Sequence, residues 1–401
     1  MNKERKKNRG GVLFSICCNT FCLGSVYAWS AFSGELAEYM GWEYSQVTMA
    51  YSIMLVTIAA MGLIGGMLLQ RFGAKKLIRV AGLMWGLGWF LTGCSTSIPM
   101  LYLTFGVLAG SASGFGYTPG VVTAVGWFPD KKGFASGMAV GVCGMASLVI
   151  APLANFLLNV FNVMTAFKIM GILFLVLMLS TSWYIDTPPA APASSGQGEA
   201  RGMTWREVLK DPRCYLLWLV LMGASVSGLM ITGHASRIGQ EVAGITATQA
   251  ALLVGIMAAA NFIGRLLLGS LSDKVGRHQI VIGSMLVCAV DMVVLSKVQS
   301  FIPFVLAIVV VGMCFGGVLA TFSAISSDTF GAKYNGINYS IIFTGYGIAA
   351  VIGPTVATSI RTASGSYSGA FLFAGVCSVL AAVLCTVVMV MKKHEKEKNY
   401  A

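Results

Sequence analysis

Mainly apolar runs alternate with short polar breaks along the whole chain, at about 11–33, 46–69, 77–97, 100–126, 134–159, 163–185, 213–233, 246–271, 278–297, 301–325, 337–361 and 367–391. Each is about as long as the roughly 20 residues a helix needs to cross a bilayer core. Backbone N–H and C=O groups find no water in hydrocarbon, so such runs must satisfy their hydrogen bonds internally, as α-helices do. The pattern predicts an all-α polytopic membrane protein with 12 spans. The third and fourth runs are separated only by "STSIP", which leaves 11 as the alternative count. Residues 186–212, "DTPPAAPASSGQGEARGMTWREVLKDP", break the apolar pattern with Pro, Ala, Ser and Gly. This segment reads as a linker between six-helix bundles at 1–185 and 213–401, the second ending in a short basic tail. Within it, "TWREVLKD" predicts a short helix at the membrane surface.

Composition removes the soluble alternative. Of 401 residues, 56% are hydrophobic and 10% charged, against about a quarter charged in an ordinary soluble domain. The mean hydropathy is +0.78. The net charge of +12 is informative through its placement. Lys and Arg crowd the N-terminal tail, alternate loops, the central segment and the C-terminal tail. Only Lys168, Arg237, Lys297 and Arg361 fall on the opposite side. By the positive-inside rule both termini and the linker are cytoplasmic, in a plasma or inner cell membrane. The basic groups are split among short loops, which argues against nucleic acid as a partner. The basic start runs straight into the first span without a small-residue cleavage site, so no cleavable signal peptide is expected. The ten cysteines lack metal-ligand spacing and read as small packing residues. No metal, cofactor or enzymatic motif is expected: HExxH, GxSxG and clustered His/Asp/Glu do not occur.

The halves echo each other. "GGMLLQRFGAKK" (65–76) parallels "LGSLSDKVGRHQ" (268–279), placing Gly66 opposite Gly269 and Gly73 opposite Gly276, each 203 residues apart. "VIAPLA" (149–154) parallels "VIGPTVA" (351–357), with Pro152 and Pro354 202 apart. Echoes at nearly one period in corresponding spans indicate a parallel duplication of six helices, an arrangement that can rock about a central site. The turn G-x-x-x-D-[KR]-x-G-[RK] resembles the signature loop of the major facilitator superfamily. The second copy carries Gly269, Asp273, Lys274, Gly276 and Arg277. The first keeps Gly66, Arg71, Gly73 and Lys75 but has Gln70 where Asp is usual. The Asp is expected to latch basic groups and helix N-termini, and the first latch to be the weaker one. Glycines at four-residue spacing, Gly106, Gly110 and Gly114 in span 4 and Gly133, Gly137 and Gly141 in span 5, predict helix seams at backbone contact.

Against this apolar background Arg265 is conspicuous. It lies six residues before the end of span 8 at Leu271, about 9 Å along the axis. An Arg at the helix centre costs roughly 2.5–3.5 kcal/mol on insertion scales. Either it snorkels to the interface, or it faces a wet cavity, a reading that Asn261 one turn earlier favours. In a cavity its planar fork suits a carboxylate. Spans 1, 4, 7 and 10 hold no carboxylate, and Glu35, Glu38 and Glu43 lie in the first outer loop. Asp291 in span 9 is expected to cap an interface or meet a nearby cation rather than to serve as a proton site. The missing negative charge is then the substrate.

Four stretches extend the resemblance: "GSVYAWSAF" (24–32), "WFPDKKGFASG" (127–137), "GRLLLGSLSDKVGR" (264–277) and "SSDTFGAKYNGINY" (326–339). Over almost its full length the chain resembles the oxalate/formate antiporter family and, more distantly, the monocarboxylate transporters. The resemblance implies that Arg265 pairs with substrate carboxylate, that Tyr117 lies near the site and that Tyr27 belongs to an aromatic part of span 1. The oxalate exchanger has a lysine in span 11 where Tyr346 stands here. One fixed positive charge suits a monoanion such as lactate, pyruvate or formate. The alternatives are a dicarboxylate antiporter, or a carrier of an unrelated solute. Tyr27, Tyr117 and Tyr346 are otherwise packed aromatics, and Asn261 otherwise holds Arg265 in place. His234 is either a pH-sensitive gate or an ordinary interfacial histidine. The expected partners are a small organic anion, protons and lipid. A monomer working as proton symporter or carboxylate exchanger is expected.

Overall fold

The computed structural model describes residues 8–188, 202–243, 246–298 and 300–400, and among these there is no strand. Eleven helical segments are long and apolar enough to cross a membrane. One of them, Tyr44–Thr92, runs for 49 residues, about 74 Å at 1.5 Å per residue and more than two bilayer cores. It is broken at Gly73, whose φ of 74° lies outside the helical region. The arms 44–72 and 74–92 (α2 and α3) are two passes, which restores the count of 12. The weak break between the third and fourth runs is real: α3 stops at Thr92 and the next helix starts at Ile98. The remaining helices are α1 (Arg9–Met40), α4 (Ile98–Trp127), α5 (Lys132–Val160), α6 (Val163–Ser182), α7 (Pro212–Ala243), α8 (Ala247–Val275), α9 (Arg277–Leu295), α10 (Phe301–Phe330), α11 (Asn335–Ser364) and α12 (Ser368–Tyr400).

The described residues form two compact units, one within Met1–Pro129 and Val142–Glu199, the other within Asp130–Gly141 and Ala200–Ala401. Asp130–Gly141 precedes the polar linker in sequence yet clusters with the later unit.

In the first unit, α2 packs closely on α4 through the glycines read as a ladder. A β-carbon built on Gly110 would meet the Met54 carbonyl at 3.0 Å, and one on Gly114 the Gly62 nitrogen at 2.7 Å. The core is aromatic. Trp29 stacks on Phe105 at 3.9 Å between ring centroids, Phe32 on Phe167 at 4.7 Å, and Trp89 meets Phe174 edge-on at 5.2 Å. Between Leu23 and Trp29, α1 tightens into a 3-10 stretch, Gly24–Ala28. There the bare Gly24 backbone presses on the Cys143 carbonyl of α5.

In the second unit, α8 packs on α10 in the same way, with Gly264, Gly312, Gly316 and Gly317 at the seam. The first turns of α5 join it. Gly133 meets the Gly269 backbone, Gly137 the Arg265 carbonyl and Gly141 the Phe262 ring, so the span 5 glycines seat that segment on α8. The turns after α2 and α8 repeat too: Gly73 and Gly276 both have positive φ, 74° and 114°. A side chain at Gly276 is strained by that φ and crowded by Gln279. Gly276→Ala should therefore destabilise the protein by about 1–2 kcal/mol, read as a lower midpoint in thermal unfolding in detergent.

Near the start of the second unit the expected short helix is present as Trp205–Val208, closed by a capping box between Thr204 and Glu207. The Thr204 backbone N–H and hydroxyl hold the Glu207 carboxyl below its ordinary range.

Candidate substrate-binding site

On α8 the side chains Leu252, Ile256, Ile263, Leu267 and Leu271 are exposed, the stripe expected to meet lipid. Arg265 lies two residues from both Ile263 and Leu267, about 200° around the helix from each, and is only 8% exposed. It is turned inward, so the snorkelling reading falls. Its guanidinium donates to the Val140 carbonyl of α5. Its Nε is buried with no acceptor, and no ion pair to Arg265 forms among the described residues. A buried cation with one neutral acceptor and an unused donor is electrostatically incomplete. Gly316 lets α10 lie against this stretch of α8: a β-carbon there would meet the Asn261 carbonyl at 2.1 Å and approach Arg265 Cγ at 3.1 Å. Asn261, half-buried one turn earlier, does not hold Arg265. Its Nδ2 donates to the Gly312 carbonyl at 3.3 Å, tying α8 to α10.

A row of aromatic side chains joins α10 and α11 in the same unit. From α11, Tyr346 stacks on Phe343 at 4.9 Å and on Phe315 of α10 at 6.4 Å, with interplanar angles of 11° and 5°. Tyr339 joins the row through Phe343 at 5.4 Å. It is 1% exposed, feels the Arg265 charge, and its hydroxyl makes no hydrogen bond among the described residues. A buried phenol normally finds a partner. Sequence reasoning assigned Tyr339 no role. The available signal was its spacing, since 339, 343 and 346 lie on one helical face and all three residues are aromatic.

The turn after α8 carries a charged network. Asp273 accepts from the backbone N–H groups of Gly133 and Phe134, at 2.9 and 3.1 Å, at the N-terminus of α5. Arg277 donates to Asp273 at 3.0 Å and also to Asp328. Lys132 completes the chain, with Nζ 2.8 Å from Asp328 and 3.3 Å from Ser327 Oγ. Two carboxylates and two cations thus alternate around a helix N-terminus, whose dipole favours the Asp273 charge. The sequence pointed to Asp273 and Arg277 but missed Lys132 and Asp328, although both stand in stretches it singled out.

A model of the Major Facilitator Superfamily matches residues 12–296 and 240–401. The chain belongs to the major facilitator superfamily. It is similar to the uncharacterized MFS-type transporter YhjX of Escherichia coli (strain K12), 32% identical over 348 residues, covering 86% of this chain and 87% of that one. It is 27% identical over 372 residues to the oxalate:formate antiporter of Oxalobacter formigenes, covering 91% and 88%. With monocarboxylate transporter 12 of Rattus norvegicus the identity is 22% over 421 residues, covering 96% and 85%. Among solved structures, the transporter FucP in its outward conformation has a TM-score of 0.76 at 12% identity, covering 94% of this chain and 98% of that one. The proton:xylose symporter XylE has a TM-score of 0.72 at 15% identity, covering 94% and 95%. Those two likenesses establish the shared fold. This superfamily member is a multi-pass secondary transporter working by alternating access, not an enzyme.

The superfamily's signature loop is duplicated here with unequal chemistry. In the first copy Gly66 is buried, Gly73 makes the turn, and Arg71 lies over the Phe72 ring at 5.5 Å. Arg265 has Gly62 as its counterpart 203 residues earlier, so only one repeat carries the buried charge. In the first unit, Tyr117 packs against the aromatic core, and Tyr27, in the 3-10 stretch, is 47% exposed. The side chain of His234 lies outside the described residues. Asp291 is buried, and among the described residues no cation meets it, so the expected ion pair does not form there. The cysteines form no disulfide among the described residues, and most of them are buried.

Proposed function

We propose that this transporter carries a small organic monocarboxylate of the lactate, pyruvate or formate class, bound through Arg265. The observation that carries the reading is the buried guanidinium with an unused Nε and, among the described residues, no carboxylate paired with it. The carboxylate supplies the missing acceptor, and Arg is the side chain whose fork can meet both of its oxygens. Similarity to an oxalate:formate antiporter and to monocarboxylate transporters supports an acid as cargo. The aromatic row of Phe315, Phe343 and Tyr346 offers an apolar surface to a short carbon chain. A second fixed cation beside Arg265 is not among the described residues of this wall, which favours a monoanion over oxalate. Tyr27, Tyr117 and Asn261 are assigned to the walls of the same route, and His234 to a pH-sensitive gate.

The halves 1–185 and 213–401, joined by 186–212, act as the moving bodies, and the Asp273–Arg277 turn, with Gly269, acts as a latch. Gly66, Arg71 and Gly73 form its weaker counterpart. Both termini lie in the cytoplasm of a cell in whose plasma or inner membrane the protein works as a monomer. The anion neutralises Arg265, and a neutral site crosses hydrocarbon at lower cost than an empty charged one.

The test is uptake and thermal shift of the full chain with lactate, pyruvate, formate, oxalate and a neutral sugar, each at two pH values. Stabilisation and uptake with the monocarboxylates alone support the reading. Stabilisation by oxalate alone, or by the sugar alone, sinks it. Tyr339→Phe removes one donor without changing packing volume. It should weaken the apparent affinity for lactate by roughly threefold to tenfold, the worth of one hydrogen bond; an unchanged half-saturation concentration would remove Tyr339 from the site.

A further inference from the structure

Arg79 lies on α3, five residues past the start of that arm and about 8 Å along its axis. Its guanidinium lies over the ring of Trp183, 4.1 Å from the centroid, and Trp183 is the residue that follows α6. Nε and Nη2 of Arg79 are buried, and neither finds an acceptor among the described residues. No carboxylate pairs with it there either. An indole face attracts a cation but offers no oxygen to its N–H groups. Arginine stays charged, so these donors call for an anion from outside the described chain.

The surroundings say which anion fits. α3 and α6 run antiparallel in close contact. A β-carbon on Gly86 would meet Leu175 Cβ at 2.6 Å, and one on Gly82 would meet Met178 Cβ at 3.0 Å. The same seam, continued towards the Gly73 turn, brings Arg79 to Trp183. Beside the seam Val80, Leu83 and Leu87 of α3 and Ile172 and Val176 of α6 are exposed, as side chains that meet acyl chains are. At the level of Arg79 this apolar surface ends. Trp183 is 68% exposed, and Lys76, one turn nearer Gly73, is exposed too. Two cations and an indole thus stand at the edge of a lipid-facing apolar strip, the depth at which tryptophan and phosphate groups meet in a bilayer. The complementary molecule is an amphiphile with an anionic head. A phosphodiester offers two unesterified oxygens, which the planar fork of an arginine can bind together.

We infer that Arg79, with Lys76 and Trp183, binds the headgroup of an anionic phospholipid, whose acyl chains lie on the α3–α6 seam. The inference does not depend on the cargo assigned to Arg265. Phosphatidylcholine carries its own ammonium beside the phosphate and should compete poorly, whereas phosphatidylglycerol leaves its negative charge to the protein.

The experiment uses the full chain in dodecyl maltoside micelles doped with phosphatidylglycerol or phosphatidylcholine of the same chain length. Native mass spectrometry counts the lipids retained, and thermal unfolding gives the midpoint in each mixture. The unsubstituted protein should retain phosphatidylglycerol in preference and unfold at a higher temperature with it. Arg79→Gln should bind phosphatidylglycerol roughly tenfold more weakly, the loss expected for hydrogen bonds to a charged group, and its two midpoints should converge. Arg79→Lys keeps a cation on a flexible stem and should retain more phosphatidylglycerol than Arg79→Gln, an order that a folding defect would not produce. Lys131→Gln removes one exposed cation from another loop and should bind the lipid as the unsubstituted protein does. Equal retention by Arg79→Gln and the unsubstituted protein overturns the inference. So does an equal loss in Lys131→Gln, which marks diffuse surface attraction. Soluble glycerol phosphate at the same concentration separates the two sources of phosphate: stabilisation equal to that by phosphatidylglycerol overturns the lipid assignment.

Discussion

Proteoliposomes containing Arg265→Lys should take up lactate with an apparent affinity roughly tenfold to a hundredfold weaker than the unsubstituted protein, the equivalent of about 1.5–3 kcal/mol for hydrogen bonds to a charged group. Lysine keeps the charge, so a site needing only a positive potential would tolerate the change. What lysine lacks is the planar fork: guanidinium donates to the Val140 carbonyl and still presents Nε and its remaining N–H groups to a carboxylate, whereas an ammonium is a compact point charge. Arg265→Ala removes charge and fork together and should abolish uptake while leaving the folded fraction near that of the unsubstituted protein, because no buried acid loses its counterion. Uptake by Arg265→Lys equal to the unsubstituted protein would take Arg265 out of substrate binding.

The second large effect is expected at Asp273. Its carboxylate accepts two N–H groups at the start of α5 and one guanidinium contact from Arg277. Its side chain is 9% exposed and that of Arg277 19%, so this is a largely desolvated cluster rather than a surface pair. Asp273→Asn keeps the shape but leaves Arg277 and Lys132 sharing only Asp328. Breaking one partner of a buried charge cluster costs about 3–5 kcal/mol, here at the upper end because the helix N-terminus also loses its anion. The variant should unfold at a clearly lower temperature in detergent and transport lactate more slowly at saturation. Asp328→Asn, with 23% side-chain exposure, should lose less. Equal losses in the two variants would mean that the contacts to the α5 N-terminus contribute nothing.

Much of this architecture was legible before any coordinates. Run lengths of at least one bilayer thickness identify the passes, and the 203-residue echo pairs the Gly73 and Gly276 turns, to both of which the structure gives a positive φ. The boundary in doubt proved genuine, since α3 stops at Thr92 and α4 starts at Ile98, while α2 and α3, separate runs in the sequence, join through Gly73. At the site, the sequence could say that Arg265 is costly in lipid and that Asn261 shares its face. It could not say that Asn261 bonds to Gly312 rather than to the arginine, nor that Tyr339 is buried beside the charge.

The sequence by itself determined the class of molecule, the number of passes, the duplication and the presence of one isolated guanidinium, because each follows from transfer energies and spacings that hold wherever the helices lie. Only the tertiary structure decided which side of α8 faces the interior, which carbonyl Arg265 touches, that Lys132 and Asp328 join Asp273 and Arg277, and that Asp291 meets no cation among the described residues. Those outcomes depend on side chains brought from helices distant in sequence, and hydrogen bonds and ion pairs act over a few ångströms, a range that linear order does not encode.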